Sequence, residues 1–359
     1  MSQEIEGGAV VEISRAGRRR IEWIDAARGL GIILVVYGHV LIGAVAAGLM
    51  TKDNPLWLSD YAIYTFHMPL FFVLAGLNVE RSIAKGKKDF LINKLWTIAY
   101  PYFLWSAIQG GIQLALPGMV NHQRSAMFLT TILWKPIAQF WFLYALFLCH
   151  MAALLVGQRR WLLATVGLAA YAASLADIGR PTTYVLGFYV AGIFLSDVLK
   201  QWTPSLRNCL VSVLGYGVFF AIAEHFGRRA SGETTTSIFS LPATLLGIAL
   251  LCTLGQLVAH LGGLSGLGTW LSRLLTGLGI MSMTIYILHV LAATSARIAL
   301  KRFGLTHLTE ELVIGTIAGI ALPVIAHVVL ERTKLLTPLG LAPLPRRKPS
   351  NRVAPEAVV

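Results

Sequence analysis

The stretch that decides the fold lies near the N-terminus, where residues 24–49 read IDAARGLGIILVVYGHVLIGAVAAGL. About 20 apolar residues are enough to cross the ~30 Å hydrocarbon core of a bilayer, and residues 26–49 meet that length. Lipid offers the backbone no hydrogen-bonding partner, so a crossing segment must satisfy its own N–H and C=O groups as a helix. We therefore predict a membrane helix here, and it carries two ionisable side chains, Arg28 and His39.

Similar apolar runs follow along the whole chain. The composition is 56% hydrophobic and only 13% charged, with a mean hydropathy of +0.67, whereas about a quarter of the residues in a soluble domain are charged. We count ten candidate spans: 26–49, 60–79, 96–117, 138–156, 161–176, 183–199, 209–224, 238–260, 278–299 and 310–330. The sequence therefore predicts an all-α fold, a polytopic membrane helix bundle of about ten transmembrane helices.

The formal charge of +13 fits a membrane topology better than a nucleic-acid partner. No basic helix, aromatic RNA-binding pattern or zinc-finger spacing accompanies the charge, so we expect no nucleic acid to bind. Lys and Arg flank the apolar runs instead, as cytoplasmic loops and anionic headgroups favour. With the N-terminus inside, 20 basic residues fall in cytoplasmic segments and eight in outer loops, which predicts two cytoplasmic termini in a bacterial inner (plasma) membrane.

Three regions divide the chain. Residues 1–23 form a polar, Arg-rich segment, residues 24–330 the transmembrane domain, and residues 331–359 a basic, Pro-containing tail. We expect the two flanking segments to be cytoplasmic and either disordered or bound to the membrane surface. The three cysteines lie inside apolar runs without metal-ligand spacing, so we expect neither disulfides nor a metal cofactor.

The ionisable residues of the first span lie on one face of the predicted helix. His39 follows Arg28 by eleven positions, and at 100° per residue the two side chains return to within about 20° of the same azimuth. Asp25 precedes Arg28 by three residues and can pair with it. Asp25 and Arg28 taken alone fit interfacial anchoring, and His39 taken alone fits an interhelical hydrogen bond. Ionisable groups deep in a membrane segment are costly, however, and three on one face favour a functional site.

The second span contributes His67 within the run Phe66–Phe72. This span enters from the outer side, so His67 lies at a depth comparable to that of His39, and an antiparallel neighbour makes contact between the two imidazoles geometrically feasible. Pro69 is expected to kink the helix, which either opens a cavity or is simply tolerated. Plain helix packing remains the alternative for His67. Tyr286 and His289 in the ninth span form a weaker candidate pair.

At these positions the sequence resembles membrane acyltransferase family 3, the O-acetyltransferases of cell-surface sugars. The family carries an Arg and a His with ten residues between them in its first membrane helix, as Arg28 and His39 are spaced here. The Asp25–Leu30 approach and the run Phe66–Phe72 resemble the family's first two helices, and the context of the first is most similar to the fucose 4-O-acetylase-like branch. Weaker similarities lie at Tyr100–Tyr102, Phe140–Leu143 and Ile285–His289.

The resemblance implies an O-acyltransferase that moves an acyl group, most simply acetyl, from acyl-CoA to a hydroxyl of a saccharide. The acceptor would be a polysaccharide, a lipopolysaccharide or a lipid-linked sugar, and membrane lipids would surround the protein. Arg28 near the cytoplasmic face would bind a donor phosphate, with Asp25 fixing its rotamer, and the basic loop 81–94 would either guide the nucleotide or only set the topology.

For the chemistry, His39 would act as general base or as a transient acyl carrier. His67 would orient His39, donate to the oxyanion or position the acceptor. Two departures from the family pattern matter. Ala75 stands where many members have Ser, and no extracytoplasmic hydrolase-like domain follows, so we expect either completion of transfer in the membrane core or a separate partner that completes it.

A different class of protein also fits these residues. A transporter or flippase of a lipid-linked sugar would use the intramembrane histidines as a proton relay. The ionisable cluster is concentrated in the first two spans, without the inverted repeat or paired broken helices that many transporters have. A structural membrane subunit would leave Asp25, Arg28, His39 and His67 without a purpose.

Overall fold

The computed structural model describes residues 2–115, 128–157, 159–227, 237–263 and 266–343. Within these ranges the secondary structure is helical, without a strand. The α-helices are α1 Ser2–Ala46, α2 Trp57–Gly76, α3 Val79–Ala84, α4 Lys87–Lys94, α5 Tyr100–Ala115, α6 Phe128–Thr131, α7 Trp141–Val156, α8 Arg160–Leu175, α9 Thr182–Phe194, α10 Ser196–Gln201, α11 Leu206–Ile222, α12 Leu241–Leu261, α13 Leu267–Ile280, α14 Ser282–Arg302 and α15 Leu308–Arg332. The predicted all-α membrane fold is confirmed.

Among the described residues, seven helical segments are long and apolar enough to cross a membrane. They are Glu22–Ala46, Trp57–Ala84, Ala138–Val156, Leu206–Phe226, Ile238–Leu261, Ser282–Arg302 and Leu308–Arg332. Two shorter apolar helices, Arg160–Leu175 and Thr182–Phe194, fall at predicted spans as well. The count of ten spans and the cytoplasmic location of both termini stay predictions, as do the three regional boundaries.

The ninth predicted span, 278–299, begins in one helix and continues in another. Helix α13 ends at Ile280, Met281 interrupts the helix, and α14 begins at Ser282. Helix α13 is not evident from the sequence as a separate apolar run, because its single cation, Arg273, and its glycines lower its apolar character. Helix α13 is one of the main packing partners of α1.

Helix α1 lies at the centre of the bundle, where it packs against α2, α12, α13, α14 and α15. Glycines allow the closest of these approaches, as is common between membrane helices. A Cβ added to Gly29 would lie 2.9 Å from the carbonyl carbon of Leu275, and one added to Gly279 would lie 2.5 Å from the carbonyl carbon of Asp25. The backbone of α13 therefore touches α1 beside Asp25 and Arg28.

The chain after α15 turns back onto α5. The Tyr100 hydroxyl donates to the carbonyl of Pro338 at 2.7 Å, and the Trp105 indole donates to the carbonyl of Leu339 at 3.0 Å. The first part of the predicted tail is thus packed against the membrane domain, and residues 344–359 lie outside the described residues. At the other end, the backbone of residues 2–23 is helical and continuous with the rest of α1.

Candidate active site

His39 lies on α1 with its ring partly buried inside the bundle. Its Nδ1 is 2.9 Å from the carbonyl oxygen of Val35. A carbonyl only accepts, so Nδ1 must carry the proton, and the Nε2 of a neutral ring is then left with its lone pair. The ring meets His289 of α14 edge-on at a centroid distance of 4.8 Å and lies 6.4 Å from the Tyr64 ring. His39 therefore presents an unprotonated nitrogen within a group of polar rings.

His67 is fully buried in α2. Its Nδ1 lies 2.7 Å from the carbonyl of Ile63, which fixes the same Nδ1–H tautomer. The Tyr64 ring packs edge-on against it at 4.5 Å, so Tyr64 contacts both His67 and His39. The buried Nε2 of His67 has no hydrogen-bond partner among the described residues. In the described ring contacts, Tyr64 links the two sequence-predicted histidines, and no ring contact joins them directly.

His289, the weaker candidate from the ninth predicted span, lies in direct ring contact with His39. It is fully buried, and its Nδ1 lies 2.7 Å from the carbonyl of Tyr286. Its Nε2, like that of His67, has no partner in the described part of the chain. The Tyr286 hydroxyl donates to the backbone carbonyl of Gln139, which connects α14 to the short helical turn just before α7. The one sequence signal for His289 was its place in the weak Ile285–His289 motif.

Arg28 and Asp25 form the predicted ion pair on α1, with 3.2 Å between Nη1 of Arg28 and Oδ1 of Asp25. Arg28 also lines a cavity of about 430 Å³ between α1, α2, α4, α7 and the segment after α15. Its polar lining side chains are Arg28, Asn78, Ser82, Lys94, Thr97 and His150. This cavity lies on the side of the bundle that the topology predicts to be cytoplasmic.

A narrower cavity of about 170 Å³ continues inward from Arg28. The two cavities share the side chains of Arg28, Ala75, Phe142, Leu146 and Met283, so they adjoin. The narrower one reaches Val35, Met68 and Tyr286, which places its inner end about one helical turn from His39 and His289. Ala75, where the family often has Ser, lines both cavities with a methyl group.

A buried ion pair lies on the far side of His39 from Arg28. Nη1 of Arg297 on α14 is 3.7 Å from Oε1 of Glu311 on α15, and the Glu311 side chain is only 3% exposed. A Cβ added to Gly43, one turn beyond His39 on α1, would lie 3.3 Å from the guanidinium carbon of Arg297. The sequence alone does not indicate this pair, because the two residues meet only through the packing of two helices.

Metal ligands do not assemble within the described residues. No three His, Cys, Asp or Glu side chains there come together as a metal ion would require. The described cysteines are all free thiols, and two of them, Cys149 and Cys252, are buried.

The structure is thus a helical membrane bundle in which Arg28 lines two adjoining internal cavities and His39 lies further along the same helix. The chain belongs to the Acyltransferase domain family (Acyl_transf_3), which it matches over residues 21–328. The predicted family is therefore confirmed. The branch within the family stays a prediction.

Two curated relatives are similar to parts of the chain. The Nodulation protein NolL of Sinorhizobium fredii is 30% identical over 127 residues, which cover 32% of this chain and 34% of the relative. The Nodulation protein NolL of Mesorhizobium japonicum is 26% identical over 182 residues, which cover 48% of this chain and 47% of the relative. The matched regions thus span half of these relatives or less. No solved structure matches the chain.

Proposed function

We propose that this protein is an O-acyltransferase of the bacterial inner membrane. It transfers an acyl group, which we take to be acetyl, from cytoplasmic acyl-CoA to a hydroxyl of an envelope or exported saccharide. The observation that carries the proposal is the pair of adjoining cavities that begins at Arg28 and ends one turn from His39 and His289. A family membership that covers residues 21–328 supports the same chemistry.

The donor fits the shape and polarity of the two cavities. The wider cavity, with its cations and hydroxyl groups, suits the nucleotide of acyl-CoA, and Arg28 binds phosphate oxygens through charge-assisted hydrogen bonds. Asp25 holds the guanidinium at 3.2 Å and so limits its rotamers. The smaller, largely apolar cavity suits the pantetheine arm, since the eleven helical steps from Arg28 to His39 rise about 16 Å. The thioester is thereby directed towards His39.

His39 serves as the general base in this proposal. Its Nε2 takes the proton of the acceptor hydroxyl as that oxygen attacks the thioester carbonyl carbon. The tetrahedral intermediate collapses, the C–S bond breaks, and the CoA thiolate recovers the proton from the imidazolium. The alternative mechanism is that Nε2 of His39 itself attacks the thioester and carries the acyl group as a transient acyl-imidazole. In both variants the hydrogen bond to Val35 keeps Nε2 available.

His67 and His289 support the reaction around His39. His289 meets the His39 ring at 4.8 Å, and His67 reaches it through Tyr64. Both histidines carry an unpartnered Nε2 among the described residues, so each can accept a hydrogen bond from an acceptor hydroxyl. His67 then positions the acceptor rather than the base. Where the acceptor lies outside the membrane, a separate partner protein would complete the transfer of the acyl group.

Purified protein in lipid vesicles, supplied with radiolabelled acetyl-CoA and envelope saccharide, tests the proposal. We expect label on the saccharide and acceptor-dependent CoA release. His39→Ala should lower transfer by about 100-fold or more, the usual contribution of a general base. His260→Ala is the matched control, because His260 is an exposed histidine at the end of α12.

Two outcomes would contradict the proposal in different ways. Full transfer by the folded His39→Ala protein would remove His39 from the reaction. Movement of a lipid-linked sugar across the vesicle membrane without acylation would support the transporter or flippase instead.

A further inference from the structure

The wider cavity contains a second cation whose surroundings differ from those of the rest of its basic loop. Of the five basic side chains between Arg81 and Lys94, Lys94 is the one that lines the cavity with Arg28. The other four are exposed: Arg81, Lys85, Lys87 and Lys88. Lys94 is partly buried, and its ammonium group lies 5.4 Å from the centroid of the Phe90 ring.

Positive charge in this cavity exceeds negative charge. Arg28 has Asp25 as its partner at 3.2 Å, whereas no ion pair of Lys94 is found in the part of the chain that the structure describes. Burial and the nearby positive charge of Arg28 lower the pKa of Lys94 to about 8. The remaining titratable side chain in the lining is His150 of α7, whose Nδ1 is occupied by the carbonyl of Leu146 at 2.7 Å.

Two cations held close together in a partly closed cavity repel each other, and an anion between them relieves that repulsion. We propose that Lys94 and Arg28 together bind the diphosphate of the acyl-CoA donor, with Lys94 supplying the contact that the rest of the basic loop does not. The inference rests on the proposed function. Lys94 is then the side chain of the basic loop that contacts the donor. The exposed cations Lys87 and Lys88 serve only to set the membrane topology.

The neighbouring walls fit a nucleotide beside this pair. The ring of Phe90 and the methylene-rich segment Gly340–Pro343 provide apolar surface on the same cavity, and Ser82 and Thr97 provide hydroxyl groups. Hydrogen bonds from Tyr100 and Trp105 hold the two residues just before that segment, Pro338 and Leu339. The wall is therefore fixed by the fold before any ligand arrives, which lowers the ordering cost of binding.

Equilibrium binding of CoA to the full chain in nanodiscs of uncharged lipid tests the inference without an acceptor. Lys94→Ala should raise the Kd for CoA by about 10- to 100-fold, the range for loss of one hydrogen bond to a charged group. Lys94→Arg should restore most of the affinity, and Lys88→Ala, an exposed neighbour on the same helix, should leave it unchanged. S-acetyl-pantetheine, which lacks the diphosphate, should serve as donor equally well for wild type and Lys94→Ala.

The outcomes separate the two proposals. Wild-type protein that neither binds CoA nor transfers acetyl would remove the proposed function and this inference together. Normal CoA binding by folded Lys94→Ala, with acetyl transfer intact in the wild type, would overturn the role of Lys94 alone. If Lys94→Ala weakened CoA and S-acetyl-pantetheine equally, Lys94 would act on cavity shape and not on phosphate. If anionic lipid competed with CoA in wild type but a diphosphate did not, the pair would bind a lipid headgroup and the donor assignment would be wrong.

Discussion

The contact between α13 and α1 at Asp25, beside the cavity that we propose for the donor, gives a test in which two glycines of one helix are compared. An added Cβ at Gly279 would lie 2.5 Å from the carbonyl carbon of Asp25, whereas one at Gly277 would have its nearest neighbour, a flexible Met281 methyl, at 3.9 Å. The carbonyl oxygen of Asp25 lies closer still than its carbon, and ordinary contact begins at 3.4 Å, so Gly279→Ala must separate the two backbones by more than about 0.9 Å. Gly277→Ala requires no such shift.

The expected difference in stability between the two variants comes from packing. Each substitution gains up to about 1 kcal/mol of helix propensity, and this gain cancels in the comparison. Overpacking a tight site costs about 1–3 kcal/mol, and backbone on both sides of the contact leaves little room to relax. We therefore expect Gly279→Ala to be about 1–3 kcal/mol less stable than Gly277→Ala. A backbone shift at Asp25 also moves Arg28, so the acetyl-CoA KM of Gly279→Ala should rise.

Thermal unfolding of both variants in one detergent, followed by tryptophan fluorescence, measures the stability difference. Initial rates of CoA release at saturating acceptor measure KM and kcat. Equal melting temperatures and equal KM values for the two variants would refute the packing of α13 against α1 at Asp25. A lower melting temperature for Gly279→Ala with unchanged KM would keep the packing but separate it from donor binding.

Two further predictions concern the charged groups on either side of His39. Because the pKa of Lys94 is lowered to about 8, Lys94 and Arg28 should both be charged below that pH, and Lys94 should lose its charge as the pH rises above it. CoA affinity measured by titration should therefore fall above about pH 8 in the wild type. The affinity of Lys94→Arg should not fall there. Arg28 and His150 are the other titratable groups that line this cavity. If Lys94→Arg lost affinity for CoA over the same pH range, the pH dependence would not come from Lys94. On the other side of His39, Glu311→Gln leaves the guanidinium of Arg297 without its carboxylate partner. We expect this substitution to lower the free energy of unfolding by about 1–3 kcal/mol. The loss should be smaller than for a fully enclosed ion pair, because the two charged groups are 3.7 Å apart and Arg297 is 16% exposed. Thermal unfolding beside the exposed Glu331→Gln control checks this, and equal melting temperatures would show that the pair contributes no stability.

The sequence by itself determined the features that belong to single segments. Apolar runs of membrane length must be helical in lipid, so the all-α bundle followed from the sequence. The 3.6-residue period placed Asp25, Arg28 and His39 on one face of α1, and the Arg–His spacing indicated the family. The Asp25–Arg28 ion pair of the structure has the predicted spacing. These results depend only on local geometry and on the solvent around a helix.

Only the tertiary structure decided which side chains from different helices meet. His289 lies against His39, Glu311 lies beside Arg297, and Lys94 alone among the basic residues of its loop lines the cavity of Arg28. The physical reason is that lipid does not distinguish one apolar helix face from another, so close packing at small residues such as Gly279 selects the partners of each helix. The hydrophobic period of a single segment does not indicate which helices will pack against it.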